Sequence, residues 1–339
     1  MSKYWGRLRV GVARSILLAG LLTLIVLPFS SCTKPAVPEK AEQLRIGVFP
    51  DSISALVYIA QDQGFFKRHG LDVSFERFQT GAFAVNGLIS DKVNVATASG
   101  FVLALQGFKS PDLRAVAAIS STDVLELVAR RDRGIAKPKD LRGKLIGVTK
   151  ATIAEFFLST FLSFNGILPG EVRTVDLKPS DFVKALTEGR IDAAVCFPPW
   201  DTVKRNLAQN GVSWPIQGGQ DYYLLLISRD ELVKNRPRVV EGLLKGTLDA
   251  EDFLRKHESE ARAIVERTLG LDRASVASTW TKTRFRVRLD QGLLILMEDY
   301  ARWAIQNRLV EAKKVPNYLP FLSLVELEKL RPDAVGVVH

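Results

Sequence analysis

Two hydroxyl side chains stand 100 positions apart, each directly ahead of a predicted helix. Ser52 follows the apolar segment 44–48 (LRIGV), and Thr152 follows the matching segment 144–148 (KLIGV). The free N–H groups and positive dipole end of a helix N-terminus bind anions, and a nearby hydroxyl adds a hydrogen bond. An ordinary N-cap, in which the hydroxyl bonds only its own helix, is the alternative explanation of each residue. The pair therefore predicts either one anion held from two sides or two structural caps.

Further candidate ligand residues follow other predicted strands, because ligands of open parallel sheets bind outside the carboxyl ends of the strands. Ser99 and Ser121 come after two strands of the first half, and Phe197 follows a strand of the second half. For each aromatic residue, packing within the core or between lobes is an equally good explanation. The predicted ligand-binding set is Asp51, Ser52, Ser99, Gly100, Ser121, Thr152, Phe197, Trp200, Tyr222 and Arg284.

Arg284 belongs to segment 283–288 (TRFRVR), in which charged and apolar residues alternate. This period of two places the arginines on one side of an extended strand, where charged residues most often face solvent. The alternative is that Arg284 reaches the ligand and forms a bidentate pair with an anionic group. The sequence leaves both interpretations open.

Catalytic and metal-binding patterns are absent from the sequence. It contains no G-x-S-x-G, H-E-x-x-H or Gly-Lys-Ser/Thr phosphate loop, and His69, His257 and His339 lie far apart. Histidine is the commonest general base, so its scarcity argues against an enzyme. We predict no catalytic residue, no metal and no cofactor, and we interpret Cys196 as a small buried residue rather than a reactive thiol.

The N-terminal segment is typical of an exported lipoprotein. Residues 1–14 carry four basic side chains and no acid, residues 16–29 are almost entirely apolar, and two serines and Cys32 follow. This order describes a secretory signal, and the apolar stretch is short for a permanent membrane span. We expect cleavage before Cys32 and lipidation of its thiol, with a polar tether at 34–42; an uncleaved anchor is the alternative.

Cleavage would also change the charge of the protein. Removal of residues 1–31, with their four basic side chains, lowers the formal net charge from +10 to +6. The remaining basic residues are scattered and do not interleave with aromatic ones, so no nucleic-acid partner is predicted.

The chain repeats itself, which predicts two related lobes. Segment 87–96 (GLISDKVNVA) matches 185–194 (ALTEGRIDAA) at an offset of 98 positions. Each copy alternates short apolar strands with helices, a pattern that favours parallel sheets with helices on both faces. The predicted fold is α/β, with two lobes of open, mostly parallel sheets flanked by helices and a ligand cleft between them. The predicted division is signal peptide 1–31, tether 32–43, first part of lobe 1 at 44–125, lobe 2 at 126–225, and a return to lobe 1 with C-terminal helices at 226–339.

Apolar runs and their periods locate the individual elements. Strands are predicted near 45–49, 73–78, 93–97, 114–119, 145–148, 172–176, 193–196 and 222–228. Helices are predicted near 54–62, 84–90, 102–107, 153–165, 179–188, 199–208, 238–257, 259–269 and 292–308. We expect the long C-terminal helices to pack back on the first lobe.

Segments 64–67 (GFFK) and 70–73 (GLDV) are similar to a signature of the solute-binding lipoproteins of bacterial ABC importers. Segments 140–144 (DLRGK) and 185–193 resemble the second-lobe pattern of that family, and the resemblance covers about residues 44–309. The group includes aliphatic-sulfonate, taurine and nitrate binders and thiamine-precursor-like domains. The resemblance implies a type II periplasmic-binding-protein fold that captures a small anionic or aromatic solute by hinge closure. It also implies a monomer outside the cytoplasm, anchored through Cys32, with a membrane permease and an ATPase as partners.

The resemblance assigns ligand positions as well. The family's hydroxyl contact in the second lobe falls on Thr152, with Ile153 in place of the usual polar residue. The family's Trp-acidic-Pro-aromatic turn falls on residues 197–200 (FPPW), where proline replaces the acid, and Ala98 and Ser99 stand where sulfonate binders show Thr-Gly. These departures imply a pocket more apolar than a nitrate site requires.

Two other classes of protein are open alternatives. One is an enzyme on the same fold, of the thiamine-pyrimidine or menaquinone type, against which the export signal and the scarcity of histidine argue. The other is a ligand-sensing lipoprotein that presents its closed lobes to a membrane receptor. Gene neighbours distinguish them, since a transporter is encoded beside a permease and an ATPase and a sensor beside a receptor kinase.

Overall fold

The computed structural model describes residues 41–197 and 200–338, apart from the side chains of Trp200, Asp201, Thr202 and Lys204. The described residues belong to one compact unit, residues 40–339. The predicted signal peptide, Cys32, most of the tether and residues 198–199 lie outside the described residues.

Strands and helices alternate over most of the described chain. The strands are β1 Glu42–Val48, β2 Leu71–Arg77, β3 Val95–Ser99, β4 Leu113–Thr122, β5 Glu126–Arg130, β6 Leu145–Val148, β7 Arg173–Asp176, β8 Ala193–Cys196, β9 Gly211–Pro215, β10 Tyr222–Arg229, β11 Thr283–Asp290 and β12 Val335–Gly336. The helices are α1 Ala55–Asp62, α2 Phe65–Arg68, α3 Gly81–Ile89, α4 Gly100–Gln106, α5 Ile153–Phe164, α6 Phe182–Thr187, α7 Trp200–Leu207, α8 Asp230–Asn235, α9 Pro237–Lys256, α10 Glu258–Leu269, α11 Arg273–Trp280, α12 Gln291–Gln306 and α13 Leu324–Leu330.

Side-chain caps explain where several of these helices begin. The Thr80 side chain accepts a hydrogen bond from the backbone N–H of Phe83 at 3.2 Å, which starts α3. Asp272 starts α11 in the same way, and Asp290 starts α12. Each cap satisfies a helix N–H group that has no partner within the helix. At the other end, α10 stops at Gly270, whose φ of +66° suits glycine.

The strands form two sheets. One has seven strands in the order β12-β11-β4-β10-β3-β1-β2, and the other has five in the order β7-β6-β8-β5-β9. We call the seven-stranded sheet with the helices that pack on it the first lobe, and the five-stranded sheet with α5, α6 and α7 the second lobe. The α/β fold with two sheets is confirmed.

The sheets are mixed rather than mostly parallel, which corrects the prediction. Among the described strands, β1 pairs in parallel with β2 and β3, and β6 with β7 and β8, but β10 and β5 are antiparallel to both of their neighbours. The reason is the path of the chain. It leaves the first sheet after β4 and enters the second as β5, then leaves the second after β9 and re-enters the first as β10. Each crossing strand inserts between two strands that run the opposite way.

Strand pairing reproduces the predicted repeat. Ile46 pairs with Val95 in the first sheet, and Ile146, 100 positions later, pairs with Ala193, 98 positions later. The backbone N–H of Arg45 donates to the Asn94 side chain at 2.9 Å. The equivalent Leu145 N–H donates to Asp192 at 2.9 Å. The two copies therefore share one strand order and pairing, β2-β1-β3 in the first and β7-β6-β8 in the second.

The glycine shared by both copies is required by packing. A Cβ atom on Gly47 would lie 2.9 Å from Phe78 Cε2, and one on Gly147 would lie 2.8 Å from Ile191 Cδ1. Contacts this short do not occur between carbon atoms in well-packed interiors. Each glycine therefore lets a side chain from later in the same copy, Phe78 or Ile191, pack directly against the backbone of the strand.

Long helices cover the first lobe, as predicted. Helix α9 packs on α1 and α2, α10 packs on α1, and α12 packs on α4. The approach of α9 is close because it carries Gly242 and Gly246, where a Cβ would lie 2.8 Å from the His69 carbonyl oxygen and 2.6 Å from Phe66 Cδ1, respectively. Within the described residues, no helix combines the length and the apolar composition that crossing a membrane requires.

Candidate functional site

A buried glutamine links the two chain crossings between the lobes. Gln217 is 1 % exposed, and its side-chain oxygen accepts hydrogen bonds from the N–H groups of Val124 and Leu125, both at 2.9 Å. Its amide nitrogen donates to the carbonyl oxygens of Thr122 and Gln220, again at 2.9 Å. All four hydrogen-bonding positions of the side chain are used. The glutamine therefore fixes one crossing to the other where the lobes meet.

The first helical turn after β1 is capped by Asp51, not by Ser52 as the sequence suggested. The Asp51 carboxylate accepts a hydrogen bond from the Ile53 N–H at 3.2 Å, because a side chain one residue earlier reaches the first free amides. Ser52 is the buried first residue of the turn. Asp51 keeps part of its surface accessible. Burial nevertheless raises the pKa of its carboxyl, against the smaller lowering by the Ile53 and Ser52 amides.

The second helix start has its own carboxylate. Thr152 caps α5 as predicted, since its hydroxyl accepts from the Ala154 N–H at 3.3 Å and donates to the Thr149 carbonyl at 2.6 Å. The Glu155 carboxylate accepts from the Ala151 N–H at 2.7 Å. Ala151 has a φ of +54°, a left-handed conformation that alanine rarely adopts. These hydrogen bonds hold a strained turn at the carboxyl end of β6.

Four aromatic side chains join the lobes. Phe156 on α5 lies 4.8 Å from the ring of Tyr300 and 5.7 Å from that of Trp303, both on α12. Phe101 on α4 lies 5.3 Å from Tyr300. Near-perpendicular pairs such as Phe156 and Tyr300 are a favourable arrangement of aromatic rings. We call Phe101, Phe156, Tyr300 and Trp303 the interlobe aromatic cluster.

Polar atoms without partners lie at this cluster. Among the described residues, the Tyr300 hydroxyl and the Trp303 indole nitrogen are buried and have no hydrogen-bond partner. Burial and then the neighbouring Tyr222 raise the pKa of Tyr300, and burial and then Asp51 raise that of Tyr222. Tyr222 therefore lies close enough to interact electrostatically with both Tyr300 and Asp51. Buried polar atoms are nearly always hydrogen-bonded, so Tyr300 and Trp303 are candidates for contact with a polar molecule.

Ser121 is buried at the edge of this region and contacts an arginine that the sequence analysis did not select. The Arg288 guanidinium donates to the Ser121 hydroxyl at 3.1 Å, lies 5.1 Å over the ring of Tyr223 and is 2.7 Å from Asp290. The register between β11 and β4 shifts between Phe285 and Arg288. This irregularity turns Arg288 inward, and periodicity alone did not reveal it.

Arg284 lies on the same strand but is largely exposed, at 69 % of its side chain. It forms an ion pair with Asp221, which directly precedes Tyr222. Nearby, burial and then Asp221 raise the pKa of Asp123 in the first crossing, and Lys282 contacts Glu126 at 3.0 Å. Charged groups of both signs thus surround the crossings.

Ser99 and Gly100 lie at the carboxyl end of β3, where α4 begins. The Ser99 side chain makes no capping hydrogen bond to the helix. A Cβ atom on Gly100 would lie 3.1 Å from Leu293 Cδ1, so glycine at this position lets α12 approach α4. Gly100 therefore has a role in the packing of α4 against α12.

The carboxyl end of β8 leads into the turn that the sequence analysis singled out. Phe197 is partly buried against the main apolar core. Residues 198–199 and the Trp200 side chain lie outside the described part of the chain. Cys196 is buried and burial raises the pKa of its thiol to about 12, which confirms it as a buried apolar residue. In the described ranges, no group of three or more His, Cys, Asp or Glu side chains is placed to hold a metal ion.

Comparison with known proteins identifies the family. Residues 52–261 match the family described as NMT1/THI5 like. Because this match covers more than half of the chain, the protein belongs to that family. A protein of Brucella abortus (strain 2308) named as a binding protein is 26 % identical over 241 residues, 69 % of this chain and 73 % of its own length. The taurine-binding periplasmic protein of Escherichia coli (strain K12) is 26 % identical over 215 residues, 62 % of this chain and 67 % of its own.

Solved structures show the fold. The periplasmic aliphatic sulphonate binding protein SsuA from Escherichia coli superposes with a TM-score of 0.68 at 18 % identity, over 83 % of this chain and 99 % of that one. The desulfurization enzyme DSZB superposes with a TM-score of 0.61 at 16 % identity, over 86 % of this chain and all of that one (100 %). The chain therefore has the periplasmic-binding-protein fold, on which both binding proteins and an enzyme are built.

Proposed function

We propose that this protein is the extracytoplasmic solute-binding component of an ABC importer and that its ligand lies between the two lobes. The observation that carries the proposal is the pair of buried polar atoms without partners in the described structure, Tyr300 OH and Trp303 Nε1, in the aromatic cluster that joins the lobes. In folds of this kind, ligands bind at the carboxyl ends of the strands. The relatives named for taurine and sulphonate binding support a solute-binding role.

The proposed mechanism is closure of the lobes around the solute. Among the described residues, the chain crosses between the sheets twice, from β4 to β5 and from β9 to β10, so rigid lobes can rotate about these two crossings. A solute that touches both lobes favours the closed arrangement by its differential affinity for it. The ligand contacts we propose are the predicted set Asp51, Ser52, Ser99, Gly100, Ser121, Thr152, Phe197, Trp200, Tyr222 and Arg284, to which the structure adds Tyr300, Glu155 and Arg288.

The proposal includes export and anchoring through Cys32, with a permease and an ATPase as partners. Cys32→Ser expressed in a bacterium should leave an unacylated precursor or release soluble protein, as measured by membrane fractionation and gel mobility. Equal membrane attachment and unchanged mobility of this variant would contradict lipidation and leave the binding function untouched.

An enzyme on this fold is the second candidate, and the DSZB structure is the comparison that favours it. The one thiol among the described residues, Cys196, opposes it, because burial raises the pKa of that thiol to about 12 and keeps it from acting as a thiolate nucleophile. The two candidates differ in the fate of the ligand, which a binding protein returns intact.

Small-angle scattering with mass spectrometry tests the proposed function. A bound solute should reduce the radius of gyration, and mass spectrometry should recover that solute unaltered. Phe156→Ala removes a ring that joins the lobes and should reduce ligand affinity and compaction. Phe164→Ala is the matched control, since Phe164 lies on the same helix, is 76 % exposed and should leave both unchanged. Conversion of the solute to a product, or binding without compaction in the wild type, would contradict the proposal.

A further inference from the structure

We propose that the interlobe site takes a solute with a cationic N–H head, an ammonium or amidinium group, on an apolar or aromatic body, in preference to an oxyanion. This inference rests on the proposed function and names the class of its ligand. It departs from the expectation of an anion held by two helix starts.

The first helix start already holds an anion of its own. The Asp51 carboxylate accepts from the Ile53 N–H at 3.2 Å, so the amides that would receive an oxyanion face a negative side chain. Burial raises the pKa of Asp51 by more than the Ile53 and Ser52 amides lower it. An oxyanion placed here would meet a carboxylate, whereas an N–H group would meet an acceptor.

The second helix start repeats this arrangement with different residues. The Glu155 carboxylate accepts from the Ala151 N–H at 2.7 Å, and the Thr152 hydroxyl takes the Ala154 N–H. Neither Asp51 nor Glu155 forms an ion pair with any described residue. Two partly accessible carboxylates without a countercharge therefore lie at the helix starts of the two lobes.

Most cations around the lobe junction are already committed to carboxylates. Arg288 is 2.7 Å from Asp290, Lys282 contacts Glu126 at 3.0 Å, and Arg284 is paired with Asp221. These pairs leave little positive charge for an oxyanion to meet. Among the side chains that the structure describes, Lys150 is a further candidate for binding an oxyanion; it is exposed and lies two residues before Thr152.

The remaining surfaces suit the body of such a solute. The interlobe aromatic cluster and Tyr222 offer ring faces, which attract cations. The Tyr300 hydroxyl is buried without a partner in the described structure and can accept a hydrogen bond from an N–H group. A buried carboxylate is costly when unpaired, and a cationic ligand removes that cost.

Isothermal titration calorimetry of the purified protein at pH 7.5 distinguishes the ligand classes. The cationic probes are benzylammonium and benzamidinium, and the anionic probes are benzenesulfonate and nitrate. We expect the cationic probes to bind at least tenfold more tightly than benzenesulfonate, which has the same ring. Equal or tighter binding of any anionic probe overturns this inference but leaves the solute-binding function standing. Binding of no probe of either class, with no compaction in scattering, counts against the inference and the function together.

Variants identify which charged side chain of the protein contacts the cationic head group of the probe. Asp51→Asn, with nearly the same shape, should weaken binding of benzylammonium about 10- to 100-fold, the range expected for losing a charged hydrogen bond. Lys150→Ala should leave it unchanged. Asp272→Asn alters a capping carboxylate at α11 by the same chemistry and controls for the effect of losing a helix cap on folding. A loss with Lys150→Ala and none with Asp51→Asn would overturn the inference.

Discussion

The two copies of the repeat share a strand core but differ in everything that surrounds it. Strands β1 and β6 pair with equivalent neighbours. However, β1 has seven residues and β6 has four, and the first sheet has seven strands against five. The second lobe has a small core cluster of its own around Phe182 and Leu186. The two copies therefore share the pairing of their central strands, while the first lobe has the larger body.

The two copies differ most at the start of the helical turn that follows β1 in the first copy and β6 in the second. In the first copy the cap is the carboxylate of Asp51, and in the second it is the hydroxyl of Thr152 supported by Glu155. Equivalent positions in the two lobes therefore present different hydrogen-bonding groups to a ligand. This asymmetry allows a site between duplicated lobes to recognise an unsymmetrical molecule.

The crossings between the copies should show the largest effect on stability. Gln217→Ala removes the partners of four buried backbone groups and should lower the free energy of unfolding by about 3–5 kcal/mol. Urea denaturation measures this loss of unfolding free energy. Gln61→Ala is the control, since the exposed Gln61 makes one hydrogen bond, at 3.2 Å, to the Val73 carbonyl. Equal losses in the two variants would show that Gln217 does not hold the lobes together.

Substitution of the two shared glycines tests whether the interiors of the two lobes are packed equally closely. Gly47→Ala and Gly147→Ala should each cost about 1–3 kcal/mol of unfolding free energy, with the larger loss at Gly47. The reason is that its Cβ would meet a rigid ring of Phe78, whereas at Gly147 it would meet the flexible end of Ile191. Gly170→Ala, with open space around its Cβ, should be nearly neutral. A larger loss at Gly147 in urea titrations would reverse this ranking.

Substitution of the two hydroxyls compares the helix starts directly. Thr152→Ala should lower the unfolding free energy by about 1 kcal/mol, since it removes a cap. Ser52→Ala should cost less, because Asp51 makes the cap there. Thermal unfolding gives both values. If calorimetry also shows unchanged ligand affinity for folded Thr152→Ala, Thr152 is only a cap and not a ligand contact.

The smallest expected effect is on the pH dependence of binding. Because burial raises the pKa of Asp51, its carboxylate takes up a proton at a higher pH than an ordinary aspartate. The affinity for benzylammonium should therefore fall as the pH decreases through that raised pKa. The electrostatic neighbours Tyr58 and Tyr222 stay protonated, since burial raises the pKa of both. Asp51→Asn should reduce the dependence, and an undiminished one would assign it to another group.

Most strands and helices of the repeated core were predictable because each is encoded locally. The strands at Leu145–Val148 and Ala193–Cys196 coincide with their predicted bounds, since short apolar runs ended by polar residues favour strands. Strands β5, β9 and β12 and helices α2, α8, α11 and α13 were missed. Segments 126–130 (ELVAR) and 211–215 (GVSWP) have little strand character of their own and become strands by pairing with each other and with β8.

The site was predictable only in part, and Arg284 and Arg288 show why. Alternation in the sequence treats the two residues alike. The register shift on β11 exposes one and turns the other towards Ser121. Similarly, Gln217 and Tyr300 carry no sequence signal that separates them from other polar or aromatic residues. Their roles come from contacts with residues 92 to 199 positions away, such as Leu125 and Phe101.

The sequence by itself determined the family signature, the duplication, the two-lobed α/β fold and the helix starts that face the lobe junction, because local pattern and repeat spacing encode them. Only the tertiary structure decided that the sheets are mixed, that Asp51 rather than Ser52 caps the first turn, and that both helix starts carry carboxylates. These features depend on which distant groups share a buried space and on how many countercharges that space contains. Charge and hydrogen bonding in the interior are properties of the assembled site, and no single segment specifies them.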